Sequence, residues 1–156
     1  MNLRKSACAL VVGLLGTLLI AAAAAPVPKL KEITLQRTAC YGRCPVYTLT
    51  LRADGTAIYE GEAHVARIGT YRGKFWARDL ERLSGAMQGL GSDKWKKSYA
   101  SGATDQSSQI VTIVTGDGKR TIREYGHVGP DGLWALQTMI DGIGASVNGW
   151  ERVKAE

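Results

Sequence analysis

The chain has 156 residues, 45% of them hydrophobic and 22% charged, and a formal net charge of +6. No linker, low-complexity tract or shift in composition divides it, so we expect one domain behind a leader segment. The charge is mild. A basic charge favours anionic partners, but export, which the leader described below predicts, argues against nucleic acid and leaves an envelope glycolipid or an acidic polymer as the anionic ligands to consider.

The beginning of the chain has the pattern of a secretory signal peptide. Arg4 and Lys5 form a basic start, the 19 residues from Ala7 to Ala25 carry no charge, and alanines fill the end of this stretch. We therefore expect residues 1–25 to be a signal peptide and residues 26–156 to be a single periplasmic or secreted domain. An uncleaved membrane anchor is the alternative, because a stretch of this length can just span a bilayer.

Alternating apolar and polar side chains predict four strands in the first half of the mature chain, over residues 33–37, 46–52, 56–60 and 65–73. Asp-Gly between the second and third strands indicates a hairpin. A three-residue loop sets Leu49 opposite Tyr59 and gathers the apolar side chains on one face. A two-residue loop would instead set Leu49 opposite a glutamate. We therefore expect the three-residue loop.

Apolar residues at steps of three and four predict two helices. The first runs over residues 76–90 with Trp76 on its apolar side, and the second runs over residues 130–147. A second hairpin lies between them, with strands over residues 110–114 and 121–125. Its register stays open because both faces of these strands carry apolar residues.

These elements follow one another in the order β-β-β-β-α-β-β-α, without the β-α-β alternation of a parallel nucleotide-binding sheet. The order predicts an α+β fold, with an antiparallel sheet of about six strands and two helices packed on one face. We expect the other face of the sheet to be partly open.

Two cysteines remain after export, Cys40 and Cys44, because the third lies in the leader. An oxidising compartment favours a disulfide between them, and Gly42 allows the chain to bend until the Cα atoms come within the range of about 4.4–6.8 Å that a disulfide needs. Closing this loop would stabilise the fold by about 2 kcal/mol. The bond would also present Tyr41 and Arg43 outward beside Gly42, as a candidate recognition loop.

The same two cysteines support a second interpretation, thiol-redox or copper chemistry. Cys-x-x-x-Cys-Pro is similar to the motif of Sco-type copper chaperones, in which two thiolates and a distant imidazole hold the metal. His64 and His127, the only two histidines, would then be the candidate third ligands beside Cys40 and Cys44. Against this interpretation, Pro45 leads into a predicted strand, so no helix N-terminus is available to activate a thiol.

One basic and aromatic cluster lies between the first predicted helix and the second hairpin. It consists of Lys94, Trp95, Lys96 and Lys97. One interpretation is contact with an anionic surface through the lysine charges and insertion of Trp95. The other is that Trp95 covers the edge of the core while the lysines stay in solvent. Elsewhere no Gly-x-Ser-x-Gly elbow is present, so the sequence favours a non-enzymatic protein and predicts no cofactor.

The segment Arg37 to Tyr47, followed by Asp54-Gly55-Thr56 and Tyr59-Glu60-Gly61, resembles the domain-of-unknown-function family 6438. Members of that family open with a Cys-x-Gly-x-Cys-Pro-x-Tyr segment that leads into a strand, and the resemblance extends to the region of Trp150. It implies an exported bacterial protein without an assigned activity, and it carries over no catalytic residue. We therefore expect a binding or structural module of the bacterial envelope, with an unidentified envelope protein or polymer as its partner.

Overall fold

The computed structural model describes residues 29–154, so the predicted signal peptide and its cleavage site lie outside the described residues. The elements, in chain order, are β1 (Leu30–Arg37), β2 (Val46–Arg52), β3 (Thr56–Ala63), β4 (Gly69–Lys74), α1 (Ala77–Gly89), β5 (Ser98–Ala100), β6 (Ser108–Thr115), β7 (Lys119–Tyr125), α2 (Asp131–Ser146) and β8 (Asn148–Arg152). The strands form one sheet in the order β5-β7-β6-β1-β2-β3-β4-β8. Neither helix within residues 29–154 has the length and apolar character needed to cross a membrane.

The α+β class is confirmed, but the prediction of about six antiparallel strands is wrong, because the sheet has eight strands and one parallel pair. The parallel pair joins β5 to β7, and β8 pairs with β4 in the antiparallel sense. Both additional strands lie at the edges of the sheet. β5 has three residues, and β8 has a single partly buried residue, Trp150, so neither shows the alternation that marks a strand in a sequence.

Two predicted boundaries also differ from the structure. Trp76 precedes α1 with extended backbone and is 71% exposed, so it lies outside the helix and not on its apolar side. β4 begins at Gly69, later than predicted, because the chain turns at His64 with a left-handed backbone (φ 53°) and folds back over β3. Residues 64–68 are called the β3–β4 loop below.

The predicted three-residue loop of the first hairpin is confirmed, because Leu49 lies opposite Tyr59. Gly55, the last residue of this loop, has a φ of 76°, which a residue with a side chain rarely adopts. A Cβ atom at this position would also lie 2.9 Å from the carbonyl oxygen of Phe75. Glycine therefore permits both the turn and the close approach of the chain that leads into α1.

Both helices pack on one face of the sheet, and the core lies between them and the strands. The buried strand residues of this face are Ile33, Leu35, Leu49, Leu51, Ala57, Val111, Ile113 and Ile122. The buried apolar residues of the helices are Leu80, Leu83, Leu133, Leu136 and Ile140. Removal of this apolar surface from water, at about 25 cal/mol per Å², is the main force that holds the layers together.

The opposite face of the sheet is not covered by either helix of the described chain. A row of four threonines crosses β7, β6, β1 and β2 on this face, formed by Thr121, Thr112, Thr34 and Thr50. The hydroxyls of Thr34 and Thr50 lie 3.1 Å apart, and those of Thr112 and Thr121 lie 3.2 Å apart. Threonine is a strand-forming residue that tolerates solvent, so this row suits an open sheet face, as the sequence predicts.

Gly61 permits the β3–β4 loop to fold back, and its replacement tests this contact. In Gly61→Ala the new Cβ atom would overlap the carbonyl oxygen of Arg67 and lie 2.9 Å from the ring of Tyr59. Because a backbone carbonyl cannot rotate out of the way, we expect the free energy of unfolding in urea to fall by about 1–3 kcal/mol.

Gly142→Ala in α2 is the control for this substitution, since nothing packs within 4 Å of its Cβ position. We expect this variant to be as stable as the parent or up to about 1 kcal/mol more stable, because alanine favours a helix. Equal unfolding free energies for the two variants would contradict the close contact at Gly61.

Candidate functional site: a polar row beneath helix α2

A row of four polar side chains crosses the helix-facing side of the sheet near one end. The strand register places Glu124 of β7 beside Gln109 of β6, then Arg37 of β1, then Tyr47 of β2. We call these four residues the polar row. The neighbouring row toward the middle of the sheet is apolar and consists of Ile122, Val111, Leu35 and Leu49. The apolar core therefore ends at the polar row.

One side of α2 covers the polar row. Trp134, Gln137 and Asp141 recur at steps of three and four, so their side chains project from the same side of the helix. The first two form hydrogen bonds with the β7 end of the row, and Asp141 forms hydrogen bonds with its β1–β2 end. Helix α2 thus crosses the strands along the row.

Arg37, Tyr47 and Asp141 form a closed cluster in which each side chain contacts the other two. Arg37 donates from Nη2 to Asp141 Oδ2 (2.7 Å) and from Nε to the Tyr47 hydroxyl (2.8 Å), and that hydroxyl donates to Asp141 Oδ1 (2.5 Å). Burial, together with the hydrogen bond to Asp141, raises the pKa of Tyr47 far above its usual value. Burial lowers the pKa of Arg37, but the hydrogen bond and charge of Asp141, together with the contact to Tyr47, raise it above its usual value. The cluster is therefore an ion pair bridged by a neutral tyrosine.

The other end of the polar row is a buried carboxyl group. Glu124 has no exposed surface, and it accepts hydrogen bonds from the backbone N–H of Gly129 (2.6 Å), from Trp134 Nε1 (2.5 Å) and from Gln137 Nε2 (2.8 Å). All three donors are neutral. The ring of His127 stacks on Trp134 with 4.1 Å between centroids, and its Nδ1 lies 4.0 Å from Glu124. This network attaches the beginning of α2 to β7.

Gln109 lies between the two ends of the row. Its Nε2 donates to the Ser107 hydroxyl at 3.0 Å, whereas its Oε1 is buried and accepts no hydrogen bond from residues 29–154. The side chain is only 6% exposed. The arginine cluster and the glutamate network therefore remain two separate hydrogen-bonded groups.

The loop between β1 and β2 lies at the same end of the sheet as the polar row. The sulfur atoms of Cys40 and Cys44 are at disulfide distance, with 5.8 Å between the Cα atoms. Gly42 donates its N–H to the carbonyl of Cys40 (2.9 Å), and Tyr41 donates its N–H to the carbonyl of Asp105 (3.0 Å) in the loop before β6. We call residues 40–44 the stapled loop. Tyr41 is 90% exposed, and Arg43 is also exposed.

The structure does not assemble the predicted copper ligands. His64 lies in the β3–β4 loop, whereas His127 lies in the connection between β7 and α2, on the far side of β1 and β6. Among residues 29–154, no three side chains of His, Cys, Asp or Glu are grouped as a metal site. Cys40 and Cys44 therefore form no such group with either histidine.

The predicted basic and aromatic cluster is divided between solvent and core. Lys94, Lys96 and Lys97 are exposed, but Trp95 is only 7% exposed and belongs to the hydrophobic core. The hydroxyl of Tyr99 accepts a hydrogen bond from the backbone N–H of Lys96 at 2.9 Å. Insertion of Trp95 into a membrane surface would remove its ring from the core, so only the lysines are placed for contact with an anionic partner.

The polar row was missed in the sequence analysis, although the strand pattern contains a signal for it. Arg37 points to the same face of β1 as the buried residues Ile33 and Leu35, because it lies four and two residues after them. Glu124 points to the same face of β7 as the buried Ile122. A charged side chain on the face of a strand that points to the core needs a partner, because an unpaired buried charge is costly. Local alternation cannot show which residue is the partner of Arg37, because Asp141 lies on a helix 104 residues later.

Removal of the Asp141 carboxylate tests the arginine cluster. In Asp141→Ala, Arg37 loses its counter-charge and Tyr47 loses its acceptor, so we expect the free energy of unfolding to fall by about 1–3 kcal/mol. The matched control is Asp79→Ala on α1, whose partner Arg82 is 70% exposed. That pair is screened by water, so its loss should change stability by less than about 1 kcal/mol. If Asp141→Ala lowered the free energy of unfolding no more than Asp79→Ala does, the result would contradict a structural role for the cluster.

The raised pKa of Tyr47 predicts a specific dependence of stability on alkaline pH. The folded state holds the phenol proton more tightly than the unfolded chain, whose pKa is near 10.0. The neutral phenol therefore contributes to the free energy of unfolding. This contribution is fully present below pH 10 and is lost as the pH rises toward the pKa of the folded state. Tyr47→Phe should therefore lose less stability than the parent between about pH 9.5 and pH 11.5, as measured by urea unfolding.

Tyr41→Phe is the control for this pH dependence, because the Tyr41 side chain is 90% exposed. We expect it to keep the alkaline slope of the parent protein. If Tyr47→Phe also kept the parental slope, the phenol of Tyr47 would not be held in a buried hydrogen bond.

Comparison with known proteins gives a family and no characterised relative. No curated protein matches the chain. The family model described as "Domain of unknown function (DUF6438)" matches residues 31–144. The matched segment covers the larger part of the chain, including the stapled loop, the polar row and Asp141, and it ends before Trp150. The chain therefore belongs to this domain-of-unknown-function family.

Proposed function

We propose that the protein is an exported, non-enzymatic binding module of the bacterial envelope and that the stapled loop contacts its partner. The observation that carries this proposal is the exposure of Tyr41, whose side chain is 90% exposed at the end of a constrained loop. Large aromatic side chains at such positions contribute to binding because they bury much area at a low cost in conformational entropy.

The constraints on the stapled loop support this proposal. The close approach of Cys40 and Cys44 limits the loop from within, and the bond from Tyr41 N–H to Asp105 attaches it to the chain before β6. Thr38 continues this attachment, since its N–H donates to the Ser108 carbonyl and its hydroxyl accepts from the Ser108 N–H. A partner would meet Tyr41 and Arg43 in a preformed arrangement, which reduces the entropy lost on binding.

The chemistry of the polar row supports a binding role over a catalytic one. Arg37 and Asp141 are paired with each other, and Glu124 is fully buried beneath α2. These groups therefore hold α2 on the sheet. Both charged members of the row, Arg37 and Glu124, serve that attachment through hydrogen bonds with α2.

Affinity capture with a matched pair of variants tests the proposed binding surface. The protein and its variant Tyr41→Ser with Arg43→Ser would be immobilised and exposed to a detergent extract of the envelope. We expect the species captured by the parent to fall at least about fivefold with the variant, because aromatic and arginine side chains contribute most to binding. The matched control is Lys96→Ser with Lys97→Ser, which changes two exposed residues at the basic cluster and should capture as much as the parent.

Two outcomes would contradict the proposal. Equal capture by the parent and the Tyr41 variant would remove the stapled loop from the interface. Free thiols in the folded, exported protein that bind Cu(I) tightly, with binding lost in Cys44→Ser, would favour the thiol-redox or copper interpretation instead.

A further inference from the structure

A cleft of about 390 Å³ opens between the β3–β4 loop and the last turns of α2. Its lining comprises Tyr47, Leu49 and Tyr59 from the sheet, Ala66 and Arg67 from the loop, Asp141, Gly144 and Ala145 from α2, and Trp150 from β8. The volume lies at the lower end of the range for small-molecule sites, about 300–1,000 Å³. The cleft is separate from the stapled loop; it shares Tyr47 with the polar row and also contains Asp141, the α2 partner of that tyrosine.

Two glycines set the width of this cleft. Gly61 lets the β3–β4 loop fold back until the Arg67 carbonyl lies against β3. Gly144 lets α2 approach β2, since a Cβ atom there would lie 2.5 Å from Leu49 Cδ2. Both walls are therefore fixed by packed backbone, and the small side chains of Ala66 and Ala145 leave the space between them open. A site formed in this way exists before a ligand enters it.

The cleft is lined by three residues whose side-chain donor groups have no acceptor in the described part of the chain. The Tyr59 hydroxyl, the Arg67 guanidinium and the Trp150 indole N–H form no hydrogen bond or ion pair with other residues between 29 and 154. The Trp150 ring atoms nearest the Cβ position of Gly73 on β4 are Cε3 and Cδ2, and Nε1 is not among them. Both carboxylate oxygens of Asp141 already accept a hydrogen bond, from Arg37 and from Tyr47.

Aromatic rings provide most of the remaining surface of the cleft. The Tyr47 and Tyr59 rings stack with 5.4 Å between centroids, and the Tyr59 and Trp150 rings are tilted at 60° with 5.9 Å between centroids. The negative face of an aromatic ring attracts the weakly positive C–H groups on the face of a sugar ring. The arginine adds a preference for a carboxylate, which matches its planar fork of donors.

We propose that this cleft binds an acidic sugar, a pyranose ring that carries a carboxylate. Arg67 holds the carboxylate, the sugar ring lies against Tyr59 and Trp150, and the ring hydroxyls accept hydrogen bonds from the Tyr59 hydroxyl and the Trp150 N–H. This site is additional to the stapled loop, and its existence does not depend on the loop's proposed role.

Titration of the ¹⁵N-labelled protein with methyl β-glucuronide, followed by NMR, tests this proposal. We expect the indole N–H resonance of Trp150, identified with Trp150→Phe, to shift, and the neutral methyl β-glucoside to bind at least about tenfold more weakly because it lacks the charged hydrogen-bond partner of Arg67. Binding of the glucuronide should also weaken as salt is added, since Arg67 is exposed.

Variants then identify the residues that hold the sugar. Arg67→Gln should weaken glucuronide binding at least about tenfold, and Tyr59→Phe should weaken it about threefold, through loss of a charged and a neutral hydrogen bond respectively. Arg72→Gln is the matched control, because Arg72 is an exposed arginine beside Ile58 on the opposite face of the sheet. It should bind as the parent does.

Three results would overturn the proposal. The first is equal binding of the glucuronide and the glucoside. The second is an effect of Arg67→Gln no larger than that of Arg72→Gln. The third is tighter binding of benzoate than of the glucuronide, which would show that the cleft recognises an apolar carboxylate and not a sugar.

Discussion

The position of α2 on the sheet depends on the carboxylate of Asp141. The apolar residues of this helix pack against the core, but apolar contacts are non-directional and allow neighbouring positions of similar energy. Asp141 accepts one hydrogen bond from Arg37 on β1 and one from Tyr47 on β2, so it fixes the helix relative to two strands at once. Gly144 lies three residues later and lets the next part of α2 approach Leu49 closely. The floor and one wall of the cleft follow from this arrangement.

The two carboxyl groups beneath α2 are stabilised in different ways. Asp141 faces an arginine, so its charge is balanced directly. Glu124 is fully buried and receives three hydrogen bonds from neutral donors, and His127 Nδ1 lies 4.0 Å from it. A buried polar group is costly unless its hydrogen bonds are satisfied. Asp141 meets this condition through β1 and β2, and Glu124 meets it through α2 and the loop before it. The hydrogen bonds of each carboxyl group thus fix one part of α2 at one position on the sheet.

The sequence predicted the parts of this fold that local patterns determine. Apolar runs bounded by turn residues located the six longer strands, and the faces of Leu49 and Tyr59 identified the hairpin loop correctly. The edge strands β5 and β8 were missed because their pairing is set by the chain to which they attach and not by their own composition. The polar row was missed for the same kind of reason. Its members are brought together by register between distant strands, and their partners lie on a helix that alternation within a strand cannot reveal.

The stapled loop is not needed to pair β1 with β2. Six residue pairs, from Glu32 with Arg52 to Arg37 with Tyr47, already hold these strands together, and the bonds to Asp141 secure their ends. A disulfide between Cys40 and Cys44 therefore acts mainly on the residues beyond the last pair. Ordering each of those residues costs about 1–2 kcal/mol of backbone entropy. The Tyr41 side chain points into solvent and makes no contact with the core, so it does not offset this entropy. The exposed ring of Tyr41 is thus held in a fixed loop without packing in the core, and this is the physical reason to propose that a partner uses it.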